Sequence, residues 1–368
     1  MRSKNIVVIG ASAGGFEALK KFVAGIPKDF SAPIFIVWHM APDVRGVLPK
    51  VLNWHGVVPA EQAVDGEPIK EGRIYVAPPD RHMLIEDGKV RVSRGPKENR
   101  FRPSVDPLFR SAAYYYGPDV IGIIMSGALD DGTSGLWTIK DRGGVAIVQD
   151  PHEAEVPSMP ENALREVAVD HIAKVAEMPK LIAGIIEAKA SESNARDGNS
   201  NRQQGGQLEV EIGIAAQDNA LESGIMEFGT LTPYTCPECH GVLSSLTEGN
   251  IKRFRCHTGH AFTADSLLAA LTESIEEELW SAIRGVDESI ILLNHMGDHF
   301  AEVNQPRLAA RFFQKANEAR SRNELMRQAV LAHEQFSTDS LRQEDMESEF
   351  ASGEQITNQA EKRSDTAH

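Results

Sequence analysis

The stretch Ile6-Val7-Val8-Ile9 runs straight into Gly10-Ala11-Ser12-Ala13-Gly14-Gly15, and a helix-forming segment follows from Glu17. A β-branched run cut off by small residues predicts a buried strand that ends in a sharp turn and feeds a helix, the opening unit of an α/β fold. Glycines on both sides of Ser12 allow the turn without a Cβ clash. The new helix aims its N-terminal amides and positive dipole end at whatever lies over the turn. Gly10-x-Ser12-x-Gly14 fits two structures, a nucleophile elbow and a phosphate-binding turn of a nucleotide-binding domain. The turn alone does not separate them.

The pattern repeats downstream. Ile34-Phe35-Ile36-Val37-Trp38 ends at His39-Met40, and Val120-Ile121-Gly122-Ile123-Ile124-Met125 ends at Ser126-Gly127-Ala128-Leu129-Asp130-Asp131-Gly132. Runs apolar on both faces predict parallel strands buried under helices, so the first half reads as a doubly wound, mostly parallel, Rossmann-like sheet. Helices are expected from about Arg45 to Trp54, through Phe109 and Ala113, up to Arg142 and over 159–167, with a hairpin at Glu86-Asp87-Gly88. Sites in such sheets lie beyond the carboxyl ends of the strands. Three ends carry Ser12, His39 and an acidic pair, Asp130 and Asp131. Serine needs a base near neutrality, and the imidazole needs a carboxylate to fix its tautomer, so these ends supply a nucleophile, a base and an orienter. A dinucleotide site would want glycine at position 12 and an acid at the end of the second strand, where His39 stands. Taken singly, His39 suits a structural role and Asp131 a helix cap. Their conjunction favours hydrolysis.

Gly10-Ala11-Ser12-Ala13-Gly14-Gly15, His39-Met40, Val76-Ala77-Pro78-Pro79-Asp80-Arg81-His82-Met83, Arg102-Pro103-Ser104-Val105-Asp106 and Ser126–Gly132 together resemble the catalytic domain of CheB-type chemotaxis methylesterases over about residues 4–188. The resemblance implies hydrolysis of glutamate γ-methyl esters on methylated chemoreceptor cytoplasmic domains, with release of methanol and deamidation of receptor glutamines. It assigns the nucleophile to Ser12, the base to His39 and the carboxylate to Asp131, the acid directly before Gly132. Oxyanion donors are expected at the amides of Ala13 and the Ala128 turn, where family members often carry Thr at 13 and Met-Gly at 128–129. His82 and Arg102 are expected to border the substrate groove, with structural roles as the alternative. The family's usual receiver domain has no counterpart before Ile6, so regulation by phosphorylation in cis is not expected. A chemotaxis methyltransferase or another signalling protein is a further expected partner.

Composition excludes other classes. A net charge of −15 does not suit a general nucleic-acid binder. No stretch approaches the roughly 20 apolar residues of a membrane span, and Met1-Arg2-Ser3-Lys4 runs into the first strand without a signal-peptide core. The chain therefore reads as cytoplasmic, without direct membrane insertion. All three cysteines, Cys236, Cys239 and Cys256, cluster in the second half, which suits metal rather than disulfides. Cys-x-x-Cys followed by Cys-x-x-x-His supplies a tetrahedral structural zinc site, with Cys236, Cys239, Cys256 and His260 as ligands and His257 or His240 as substitutes for the last. Four ligands leave no open position, and no cofactor is expected for catalysis. The module over 233–263 resembles the zinc-ribbon-like segment appended to some CheB homologues that lack a receiver.

A catalytic domain over 1–188 would thus be followed by a flexible linker over 189–232, the ribbon, an α-helical hairpin over 264–336 and a disordered tail over 337–368. Within the linker, Leu208–Ile214 alternates like a strand, or serves as an acidic tether. Thr263-Ala264-Asp265-Ser266 should cap the first helix of the hairpin, which carries Leu267, Leu271, Ile275 and Ile283 as an apolar stripe. The competing function class is a catalytically idle scaffold that binds a signalling partner through the ribbon and the hairpin.

Overall fold

A computed structural model describes residues 5–40, 46–193 and 206–333. The described chain forms two compact units, the first reaching to Leu267 and the second starting at Leu268.

The first unit opens with β1 (Ile6–Ala11), α1 (Gly15–Ala24), β2 (Ile34–Trp38), α2 (Val47–His55), β3 (Ala60–Gln62) and β4 (Ile74–Val76). A hairpin of β5 (His82–Glu86) and β6 (Lys89–Ser93) follows. Its turn has Asp87 and Gly88 both at positive φ, as a tight hairpin needs. Next come α3 (Val105–Tyr116), β7 (Val120–Ile124), α4 (Thr133–Asp141), β8 (Val145–Gln149), α5 (Ser158–Glu166), β9 (His171–Ala173) and α6 (Met178–Ser193). Seven strands pair in the order β3-β4-β2-β1-β7-β8-β9, and every pairing is parallel.

Alternate residues of β1 enter opposite layers, which is why the strand is apolar throughout. Val7 and Ile9 pack with Leu19 and Phe22 of α1, Leu52 of α2 and Ile182 of α6. Ile6 and Val8 pack with Phe109 of α3, Leu136 of α4 and Met159 of α5. Helices on both faces of a parallel sheet make the three-layer α/β architecture expected from the alternation. The sheet is wound outward from β1, with β2 and β7 on either side, so the ends of β1, β2 and β7 meet over one crevice.

The segment over 207–215 is neither strand nor tether. It forms the helix α7 (Gln207–Ala215), with Glu211, Ile214 and Ala215 buried. Ser93 Oγ of β6 donates a hydrogen bond to the Ala215 carbonyl. The Glu-Val-Glu-Ile alternation mimics a strand because Glu211 turns inward, a placement that only its distant arginine partners permit. The linker stretch over 194–205 lies outside the described residues. β10 (Thr230–Thr235), β11 (Val242–Glu248), β12 (Ile251–Cys256) and β13 (Ala261–Thr263) form an antiparallel four-stranded sheet in that order. Its β11–β12 turn falls at Glu248–Ile251. The segment before α3 joins this sheet: Asn99 N–H donates to the Ala261 carbonyl at 2.8 Å, and Ala261 N–H donates to that of Lys97 at 3.2 Å.

The helix α8 (Ala264–Glu302) begins in the first unit with a reciprocal cap. Thr263 N–H donates to Ser266 Oγ, and Ser266 N–H donates to Thr263 Oγ1. In the second unit α8 pairs with α9 (Pro306–Leu331) through a Phe300–Phe312 stack, and Asn323 and Arg327 both donate to the Asp287 carboxylate. Ile283, Ile290, Ala316 and Val330 are buried, whereas Ile275, Leu325 and Leu331 are exposed, so the apolar stripe is only partly covered. The expected tail lies outside the described residues.

Candidate active site

The turn after β1 is built around Ser12. Gly14 sits at φ 70°, and a Cβ there would stand 2.6 Å from Ser126 Oγ, so glycine is required on both conformational and steric grounds. Gly127 is constrained by proximity, since a Cβ would come within 2.8 Å of Ser12 Cβ. The Ser12 backbone is pinned from two sides: its N–H donates to the Ser126 carbonyl at 2.9 Å, and its carbonyl accepts from Trp38 Nε1 at 2.9 Å. Leu129 holds φ 60°, an uncommon conformation for leucine, with its carbonyl accepting from Asn162 Nδ2 at 2.8 Å.

His39 follows β2 directly. Its Nδ1 lies 3.1 Å from Ser12 Oγ, and its Nε2 lies 2.7 Å from Asp131 Oδ2. Phe101 stacks on the imidazole with ring centroids 3.8 Å apart, which fixes the plane of the ring. Asp131 is buried and well supplied with donors. Oδ2 also accepts from Val105 N–H at 2.7 Å, and Oδ1 accepts from Asn99 Nδ2 and Ser104 Oγ at 2.8 Å each. Burial works to raise this carboxyl, but His39 and the Val105 and Asn99 amides outweigh it and hold it at about 2. An ionised Asp131 is acceptor only, so Nε2 carries the imidazole proton and Nδ1 accepts the Ser12 hydroxyl. The hydrogen-bonded chain Ser12–His39–Asp131 thus runs across three adjacent strand ends. Asp130 is not part of it; its Oδ1 accepts from Thr263 Oγ1 at 2.8 Å. Behind Asp131 lies Asp106, pushed up to about 7 by burial and by the Asp131 charge. The Asn99 amide stands between the two, giving one hydrogen to each carboxylate.

Ser12 and His39 open onto a cleft of about 540 Å³, which is also lined by Ala13, Met40, Phe101 and Arg102. Arg102 is held against Asp80 Oδ1 by Nε at 2.8 Å and Nη2 at 2.6 Å, and lines the cleft. His82 does not. It is fully buried, its Nε2 donating to the Pro96 carbonyl at 2.8 Å while Nδ1 accepts from Ser104 N–H at 3.3 Å. Its place as the first residue of the strand β5 turns the ring into the core, so it supports the loop that carries Ser104. Ala13 and Ala128 are both exposed at the turns flanking Ser12, Ala13 within the cleft lining. Asn99 and Phe101 have one signal in the sequence, adjacency to Arg102-Pro103-Ser104-Val105-Asp106, within which Ser104 carries no assigned role.

Away from the cleft, Cys236, Cys239, Cys256 and His260 bring their ligand atoms within 4.8 Å of one another. Cys239 Sγ lies 3.7 Å from Cys256 Sγ, and Cys256 Sγ lies 3.6 Å from His260 Nδ1. A tetrahedron with metal–sulfur bonds of about 2.3 Å has edges of roughly 3.8 Å, so the donor set and its spacing fit a metal ion. His240 and His257 are not in this group.

Residues 7–182 match the family model of the CheB methylesterase. Over 176 residues the chain is 40% identical to a Leptospira interrogans protein, covering 48% of this chain and 91% of that one. The chain belongs to the CheB methylesterase family. The Leptospira relative is named, provisionally, a protein-glutamate methylesterase/protein-glutamine glutaminase. An Anaeromyxobacter dehalogenans protein named protein-glutamate methylesterase/protein-glutamine glutaminase 2 is 40% identical over 177 residues, 48% of this chain and 52% of that one. The Thermotoga maritima CheB methylesterase catalytic domain, a crystal structure, aligns over 50% of this chain and 99% of its own at 34% identity, with a TM-score of 0.48. The family-model match lies in the first half of this chain.

Proposed function

We propose that this CheB-family protein is a serine esterase that removes methyl groups from glutamate γ-methyl esters of chemoreceptor cytoplasmic domains, and deamidates receptor glutamines by the same route. The observation that carries this reading is the continuous Ser12–His39–Asp131 hydrogen-bond chain opening onto a cleft. In the first step Ser12 Oγ attacks the ester carbonyl and its proton passes to His39 Nδ1. The imidazolium is held by the ionised Asp131 at Nε2–H. His39 then gives that proton to the departing methoxide, which leaves as methanol, or to the departing amide nitrogen, which leaves as ammonia when the substrate is glutamine. Water attacks the acyl-enzyme, His39 takes a proton from it, and Ser12 is restored as glutamate leaves. Backbone amides of Ala13 and the Ala128 turn are the proposed oxyanion donors; one such donor is typically worth about 10²–10³ in rate. A receptor substrate places this chemistry in the cytoplasm.

Two measurements test it. A fluorophosphonate probe should form a covalent adduct at Ser12 by mass spectrometry, and the protein should release methanol from membranes carrying methylated receptors. Absence of both outcomes supports a catalytically idle scaffold instead.

We further propose that Cys236, Cys239, Cys256 and His260 hold a structural zinc, since four protein ligands leave no open position for catalysis. Protein purified without chelator should contain close to one zinc per chain, and Cys256→Ser should lose it with a lower Tm. Stoichiometry near zero in the parent protein refutes the site.

A further inference from the structure

Resting on the esterase reading above, we infer that Asn99 is a positioning residue through which the C-terminal sheet and the start of α8 orient the Asp131 carboxylate.

Three observations carry it. Asn99 is buried, and its Nδ2 donates at 2.8 Å to both Asp131 Oδ1 and Asp106 Oδ2, so each amide hydrogen has one carboxylate. Its Oδ1 accepts from Thr263 N–H at 3.1 Å and from Ser266 Oγ at 3.3 Å, both from the C-terminal half of the chain. Its backbone is tied to the same element by the N–H bond to the Ala261 carbonyl.

These contacts decide which way round the amide sits. Rotated by half a turn, the carboxamide would aim Oδ1 at two carboxylates and its N–H₂ at the donor Thr263 N–H. The Thr263 and Ser266 donors therefore select the orientation that delivers hydrogens to Asp131. Asp131 in turn sets the tautomer of His39. A misplacement propagated along this chain would act on the proton transfer, since the cleft lining contains neither Asn99 nor any residue of the C-terminal sheet. Asn99 also holds φ 50°, a region that asparagine and glycine tolerate best, so the residue type suits both backbone and side chain.

The test uses the full chain and Asn99→Gly, which keeps the left-handed backbone unstrained while deleting the amide. Turnover and the rate of fluorophosphonate labelling at Ser12 should both fall roughly 10–100-fold, with KM changed by less than about twofold. Ser266→Ala should slow labelling in the parent protein but add nothing in the Asn99→Gly background, because the route through Asn99 is already cut. Unchanged labelling in Asn99→Gly, or a loss confined to KM, overturns the inference. So does a Ser266→Ala effect of equal size in both backgrounds. Should Asn99→Gly fail to fold, Ser266→Ala decides alone, and parental labelling in that variant overturns the inference. A parent protein that is never labelled at Ser12 overturns the esterase reading itself.

Discussion

Ser12→Ala is expected to lower methyl-ester hydrolysis by about 10⁶-fold while leaving the fold intact, as nucleophile removal does in serine hydrolases. The loss should be catalytic, because the Ser12 hydroxyl has His39 Nδ1 as its partner and no structural task. The turn is held instead by the Ser12 backbone, through Ser126, Gly15 and Trp38, and alanine keeps all three bonds. A Tm close to that of the parent protein, together with abolished methanol release, is the expected pair of results. A variant that retains activity would remove Ser12 from the mechanism. Residual turnover of about 10³–10⁴ over water would be consistent with oxyanion donors and substrate binding acting alone.

Glu211→Ala is expected to destabilise the protein by about 3–5 kcal/mol, the usual result of removing one partner from a buried ion-pair network. Glu211 Oε2 accepts from Arg253 Nη1 at 2.7 Å and Arg255 Nη2 at 3.2 Å, and Arg110 Nε lies 3.5 Å away. Glu98 completes the cluster, accepting from Arg110 and from Arg255 Nη2 at 2.9 Å. All five side chains are buried. Without Glu211, three guanidinium groups would remain inside the protein around Glu98, with Asp106 and Glu248 at the margins. Thermal or urea unfolding of the variant measures this directly, and a change within about 0.5 kcal/mol would show that the network contributes little.

The same cluster sets an acid limit. Burial alone would raise Glu98, but Arg110, Arg255 and Arg253 hold it at about 2, and Glu211 is depressed by the same arginines. Folded protein keeps both carboxylates charged, whereas the unfolded chain protonates them near the ordinary value of about 4.3. The stabilisation is therefore complete above that value and is lost as pH falls from there towards 2. Tm should drop across this window in the parent protein, and more shallowly in Glu211→Ala.

What was legible in the sequence was what local chemistry dictates. The apolar runs 6–9, 34–38 and 120–125 in an alternating chain read as buried parallel strands, so Ser12, His39 and the Asp130–Asp131 pair fall at strand ends. Cys236, Cys239, Cys256 and His260 were readable for a related reason: thiols and imidazole at metal-ligand spacing have few other uses. Helix α7 was misread because an alternating Glu-Val-Glu-Ile pattern cannot announce that one glutamate is buried; Glu211 goes inward only because Arg253 and Arg255, more than forty residues later, arrive to neutralise it. For His82 the motif left a groove and a structural role open, because the direction of its side chain depends on the pleat of β5. The positions of Asn99 and Phe101 were decided by tertiary structure alone, for their value lies in whom they touch: His39 across one strand end, Asp131 across another, and Thr263 from the far half of the chain. Periodicity and spacing report on neighbours along the chain, and contacts between segments so far apart leave no trace in either.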